Sequence, residues 1–146
     1  MSNNKLKYYQ PGYSVIHPLS SMDNELWKYA VQIHKNQNGT HFDLRLYRPI
    51  EKIAYSWSLK KVPFLKGHEK LGAFRTYDHN HDDMLFEGFQ KTASGHGTKK
   101  VLAYGSCKIM EIDKTAGLTF NIDSDYSLYN LRPIKGKRYI LKELIY

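Results

Sequence analysis

Polar and apolar residues alternate without a break along Thr40-His41-Phe42-Asp43-Leu44-Arg45-Leu46-Tyr47. A period of two marks a strand, because successive side chains leave a strand on opposite faces. The pattern predicts a strand over 40–47 with Phe42, Leu44 and Leu46 toward a core and His41, Asp43 and Arg45 sharing the other face. Upstream, Tyr29-Ala30-Val31-Gln32-Ile33-His34 alternates as well, predicting a first strong strand over 28–34. Between them Asn36-Gln37-Asn38-Gly39 carries the Asn-Gly signal of a hairpin turn.

The same reading gives strands at 53–59, 71–77, 99–112, 116–122, 127–131 and 138–144. Pro49, the Pro63 to Gly67 stretch, a polar run from Asp78 to Asp83, a small-residue loop over 92–98, and Pro133 with Gly136 separate them. Ser20 to Trp27 holds capping residues and predicts one brief helical turn. Residues 1–27 read as an irregular N-terminal arm with a short edge strand at 13–16, and 28–146 as one domain. About eight short, mostly antiparallel strands with little helix predict an all-β, barrel-like fold.

Length and composition fit that picture: 146 residues and 41% apolar content suffice for one core. The net charge of +8 favours a polyanionic partner, since cations that neutralise phosphates release bound counterions. No stretch approaches the ~20 apolar residues that span a bilayer, so the expectation is a soluble, cytoplasmic chain with no membrane partner. A single cysteine, Cys107, excludes an intramolecular disulfide and reads as a half-buried inert thiol on a strand.

The seven histidines are unevenly spread. His34 and His41 flank one turn, and residues on either side of a hairpin turn lie side by side. With Asp43 two positions along the same face, two imidazoles and a carboxylate form a three-ligand set for Mn²⁺, Zn²⁺ or another divalent transition metal, leaving positions for water or substrate. The plainer alternative is that each histidine hydrogen-bonds locally. Arg45 continues the face as a phosphate clamp, or else pairs with Glu51 or Asp83. His79 and His81 are candidates for a second anion contact or proton donor. Lys60, Lys61, Lys66 and Lys70 are candidates for a phosphate track. Trp27 and Trp57 read as core, and Gly95-His96-Gly97 as a hairpin turn.

Ala30 to His34, then His41-Phe42-Asp43-Leu44-Arg45-Leu46, then Ser56-Trp57-Ser58-Leu59-Lys60-Lys61-Val62-Pro63, Asp78-His79, Phe86-Glu87-Gly88 and Tyr139-Ile140-Leu141-Lys142 follow one another in order. Together they resemble the 3′-phosphoesterase domain of bacterial ATP-dependent DNA ligase D, in a free-standing form. The resemblance implies a Mn²⁺-dependent enzyme acting at DNA 3′ ends in nonhomologous end joining, with a DNA ligase or other end-joining protein as partner. It would trim a terminal 3′-ribonucleotide and remove the resulting 3′-phosphate. By position, His34, His41 and Asp43 would hold the metal, Arg45 and His79 would grip the scissile phosphate, and Lys61 would stand at the mouth of the site. The turn between the two histidines is one residue longer than the family's. Asp83 stands where the family has an active-site tyrosine, and residues 1–27 lack the family's basic-acidic arm. Leu71 occupies an expected arginine position, which makes Lys70 and Arg75 accessory candidates beside His81 and Asp83. The alternative function is a non-catalytic module that binds nucleic-acid ends.

Overall fold

The computed structural model describes residues 16–64, 70–92, 95–123 and 127–144. Nine strands lie in one antiparallel sheet: β1 (Met22–Asn36), β2 (Gly39–Arg48), β3 (Ile53–Leu59), β4 (Lys70–His79), β5 (Gly88–Thr92), β6 (Gly95–Asp113), β7 (Gly117–Ile122), β8 (Leu128–Lys135) and β9 (Arg138–Leu144). A one-turn helix, α1 (His81–Met84), follows β4. The order β1-β2-β3-β4-β9-β8-β7-β6 closes through β1–β6 pairing into a ring of eight strands, and β5 pairs with the first part of β6. Closure removes exposed strand edges, as the all-β reading anticipates. Among the described residues no helix is long and apolar enough to cross a membrane.

The core lies inside the ring. Trp27, Trp57, Tyr55, Leu44, Phe120 and Leu131 are among its fully buried members, and each such side chain contributes roughly 1.5–3 kcal/mol. Cys107 is wholly rather than half buried. A second, small cluster lies outside the ring, where Met84 of α1 packs on Ala30 and Ala54. Two small alanines, one on β1 and one on β3, leave room for that one methionine, and so dock α1 on the outer face of the two strands.

Five expectations need correction. The helical turn at 20–27 is absent, because Met22 already pairs with Ile112 and Trp27 is drawn into the core opposite Cys107. The sheet therefore begins inside the supposed arm, and His17 is tied to Asp78; the strand expected at 13–16 lies largely outside the described residues. His79 ends β4 instead of standing in a loop, paired with Ala54 across a bulge. Gly95-His96-Gly97 is not a turn but the start of β6, with Gly97 opposite Asn36. Pro133 does not end a strand but sits inside β8, next to a register shift, a position that spares the ladder a missing donor.

Candidate metal centre

The β1–β2 hairpin sets His34 directly opposite His41 and Gln32 opposite Asp43, so the longer turn leaves both histidines in register. Across β2 and β3, Arg45 faces Ser56. Directly opposed residues share a face, and this face is the outer one. His34 Nδ1 and His41 Nε2 are 3.1 Å apart, and His41 Nε2 is 3.3 Å from Asp43 Oδ1. All three ligand atoms lie within 4.8 Å of one another.

These separations suit one ion. Bonds of about 2.1 Å place neighbouring ligands of a tetrahedral or octahedral cation about 3.0–3.4 Å apart. Proton arithmetic points the same way. His41 Nε2 carries at most one proton, so it cannot donate to Asp43 and also accept from His34, and no single placement of that proton makes a full hydrogen bond of both contacts. His34 Nε2, on the far side of the ring, is buried without a hydrogen-bond partner among the described residues. It lies so close to β6 that a Cβ on Gly97 would sit 2.9 Å from it and 2.6 Å from the Lys35 carbonyl oxygen. Gly97 is the residue that lets the imidazole lie flat against the neighbouring strand.

Behind the ligands stands a buried polar network. Arg45 is 2% exposed. Its Nε donates to Gln32 Oε1 (3.0 Å) and its NH1 to Ser56 Oγ (2.8 Å) and His79 Nδ1 (2.7 Å), while NH2 lies 3.5 Å from Asp43 Oδ2. A guanidinium has five N–H donors, so one NH2 hydrogen beside Asp43 is left uncommitted. Because arginine only donates, His79 accepts at Nδ1, and neutral His79 carries its proton on Nε2. Gln32, itself fully buried, donates onward from Nε2 to the carbonyls of Asp83 (3.1 Å) and Phe86 (2.9 Å). The 80–87 segment is thereby fastened over the site. Asn80 caps α1 through the Asp83 N–H, and Glu87 accepts from the Val101 N–H.

Burial and the local cations set the charge states. Burial chiefly, then the charge of Lys99, lowers His34 to about 4, against the opposing pull of Asp43. His79 is held well below its ordinary range, by burial and then by Arg45 and Lys99, while a hydrogen bond to the backbone at Tyr77 works the other way. Burial alone would raise Asp43, but Arg45, His41 and Lys99 outweigh it and hold the carboxylate ionised well below its usual range. His34 and His79 are thus neutral and Asp43 anionic, and for His34 and Asp43 these are the states a metal requires of its ligands.

Lys99 was not anticipated. It lies opposite His34 on β6, buried, and among the described residues its ammonium makes no hydrogen bond or ion pair. Burial, then Arg45, brings it down to about 8, with Asp43 and Asp83 resisting. In the sequence it is one half of Lys99-Lys100, and only the phase of β6 against β1 separates the buried lysine on the ligand face from its exposed neighbour.

The other candidates scatter. His81 packs edge-on against Tyr47 and lies near Asp82. Asp83 belongs to the cover and faces Lys99 electrostatically. Arg75 points to the opposite, inner side of β4, over the rings of Tyr55 and Trp57 and toward Asp78; it is a structural residue and no accessory to this site. Lys61 and Lys70 are exposed on a neighbouring groove with Lys60, while Lys66 lies outside the described residues. Glu51 pairs with Arg48 rather than Arg45. No family model and no curated protein matches the sequence.

Proposed function

We propose that this chain is a metal-dependent phosphoesterase that acts at nucleic-acid 3′ ends, removing a terminal 3′-ribonucleotide or 3′-phosphate, with Mn²⁺ the favoured ion and Zn²⁺ an alternative. The observation that carries the reading is the set of three convergent ligand atoms from His34, His41 and Asp43, lying beside two buried cations, Arg45 and Lys99. A neutral or cationic substrate gains nothing from such a surround. A phosphoester gains at every step at which negative charge builds on its oxygens.

When bound, the ion supplies charge neutralisation and an acidified water. The remaining work falls to the chain. Arg45 fixes Asp43 and His79 through its committed N–H groups and offers its remaining one to a non-bridging oxygen. Lys99 supplies a compact positive charge from the β6 side. His79 donates its Nε2 proton to a phosphate oxygen or to the leaving alkoxide in exchange for the backbone at Tyr77 that holds it in the substrate-free chain. The 80–87 cover, pinned by Gln32 and Met84, limits water on that side. DNA repair by end joining, with a ligase as partner, is the cellular setting that the resemblance to the ligase D domain brings to this reading.

The test is conversion of a primer–template bearing one 3′-ribonucleotide, or a 3′-phosphate, with Mn²⁺ present. Wild-type chain is expected to convert it, and His41→Ala and Asp43→Ala to lose conversion by at least about 10²-fold. Turnover at wild-type rate in either variant sinks the metal-site reading. The second reading, a module that binds ends without turnover, draws on Asp83, whose negative charge lies near Lys99, where a phosphate has to approach. Tight end binding with no conversion by the wild-type chain would decide for it.

A further inference from the structure

The outer face that holds the ligands does not stop at β3. Register carries one row of side chains straight across the sheet: Asp43 opposite Ser58, Ser58 opposite Phe74, Phe74 opposite Arg138. Three strand spacings of about 4.8 Å put Arg138 roughly 14 Å from Asp43. Along this row lies a groove of about 810 Å³, bordered by Lys60, Lys61, Lys70 and Arg138. None of its described lining residues is acidic. Phe74 is 50% exposed within it, an aromatic ring on an outward strand position with no core to fill. The floor is Gly72, where an added Cβ would meet nothing within 4 Å.

We propose that this groove seats the single-stranded template overhang that continues past the reacting 3′ end, with a base stacked on Phe74 and successive phosphates held by Lys60, Lys61, Lys70 and Arg138. The inference rests on the phosphoesterase reading for what lies at the end of the row, and it names the substrate as a strand rather than a mononucleotide. A ring flanked by cations is how proteins hold single strands without reading sequence: each base has a face to stack, and the backbone supplies the anions. Duplex DNA keeps its bases stacked on one another and has none to offer Phe74. An acidic polypeptide would satisfy the lysines but leave the ring unexplained.

The test is binding of a fluorescein-labelled 12-nucleotide single strand, followed by anisotropy in EDTA so that the metal pocket does not contribute. Four phosphate contacts give a slope of roughly −3 in log affinity against log salt, since each contact on a single strand contributes about −0.7. Phe74→Ala is expected to weaken binding about tenfold. Gly72→Glu, which sets a carboxylate on the floor from a position with open space above it, is expected to do the same by repelling the phosphates. Arg138→Ala should make the slope shallower by about 0.7. Matching melting temperatures for the variants exclude unfolding as the cause. Wild-type affinity in both Phe74→Ala and Gly72→Glu overturns the proposal, as does displacement by polyglutamate as effective as displacement by unlabelled strand. Because no turnover is measured, loss of binding in these variants upholds the groove even if the wild-type chain converts no 3′ end.

Discussion

Arg45 NH1 lies 2.7 Å from Nδ1 of His79, and that contact fixes which nitrogen of the histidine carries the proton. Lysine keeps the charge but cannot reach Gln32, Ser56 and His79 together, because only the guanidinium fork presents N–H groups in several fixed directions. Arg45→Lys is therefore expected to lower stability by about 1–3 kcal/mol in urea unfolding and to reduce 3′-end conversion about 10²-fold. Wild-type conversion by Arg45→Lys would show that charge alone suffices there.

Gly97 makes a prediction of a different kind. Its backbone angles are ordinary, so the objection to a side chain is space: the nearest atoms to an added Cβ are the Lys35 carbonyl oxygen at 2.6 Å and His34 Nε2 at 2.9 Å. Gly97→Ala should cost about 1–3 kcal/mol in chemical denaturation, as overpacking does, and should weaken Mn²⁺ binding by displacing the His34 ring. Unchanged stability together with unchanged affinity would mean that β6 moves aside freely.

Lys99 sets stability against function. A buried ammonium that makes no hydrogen bond or ion pair among the described residues is costly to fold, and Lys99→Met removes that cost with similar packing volume. The variant is expected to gain about 1 kcal/mol in thermal or urea unfolding while inorganic phosphate inhibits it at least several-fold less well than the wild-type chain. Equal inhibition in the two proteins would remove Lys99 from the anion site.

How much of this was legible in the sequence depends on which signal each residue gave. The alternation through 40–47 and the Asn-Gly turn were enough to bring His34, His41, Asp43 and Arg45 onto one face, and the structure bears that out. Ser20 to Asn24 looked like a helix cap because polar capping residues read alike before a helix and on an outward strand; pairing with β6 and burial of Trp27 decide it. Arg75 seemed an accessory cation, although its phase with Leu71 and Ala73 already put it on the inner side of β4. Lys99, Gly97 and Gln32 could not be found locally, since their roles come from partners far along the chain.

Glu25 sets an acid limit on stability away from the site. It accepts from Arg48 Nε (2.6 Å) and NH2 (3.1 Å) and from Trp27 Nε1 (2.9 Å), and the Arg48 hydrogen bonds chiefly lower its pKa against the opposing effect of burial. A carboxylate depressed in the folded state binds its proton more readily when unfolded. Its contribution is thus complete above the ordinary glutamate value of ~4.3 and is lost as pH falls through the lower folded value. Urea midpoints should show the wild-type advantage over Glu25→Gln, about 1 kcal/mol for a bidentate, partly exposed pair, at pH 7 and shrinking below about pH 4. A constant difference down to pH 2 would contradict this assignment.

Mn²⁺ binding, followed by electron paramagnetic resonance on the purified chain, is the most direct test of the metal centre. One bound ion is expected for the wild-type protein, with binding lost in His41→Ala and in Asp43→Ala while both variants stay folded. A wild-type chain that binds no ion, or variants that bind as tightly as wild type, would contradict the assignment of His34, His41 and Asp43.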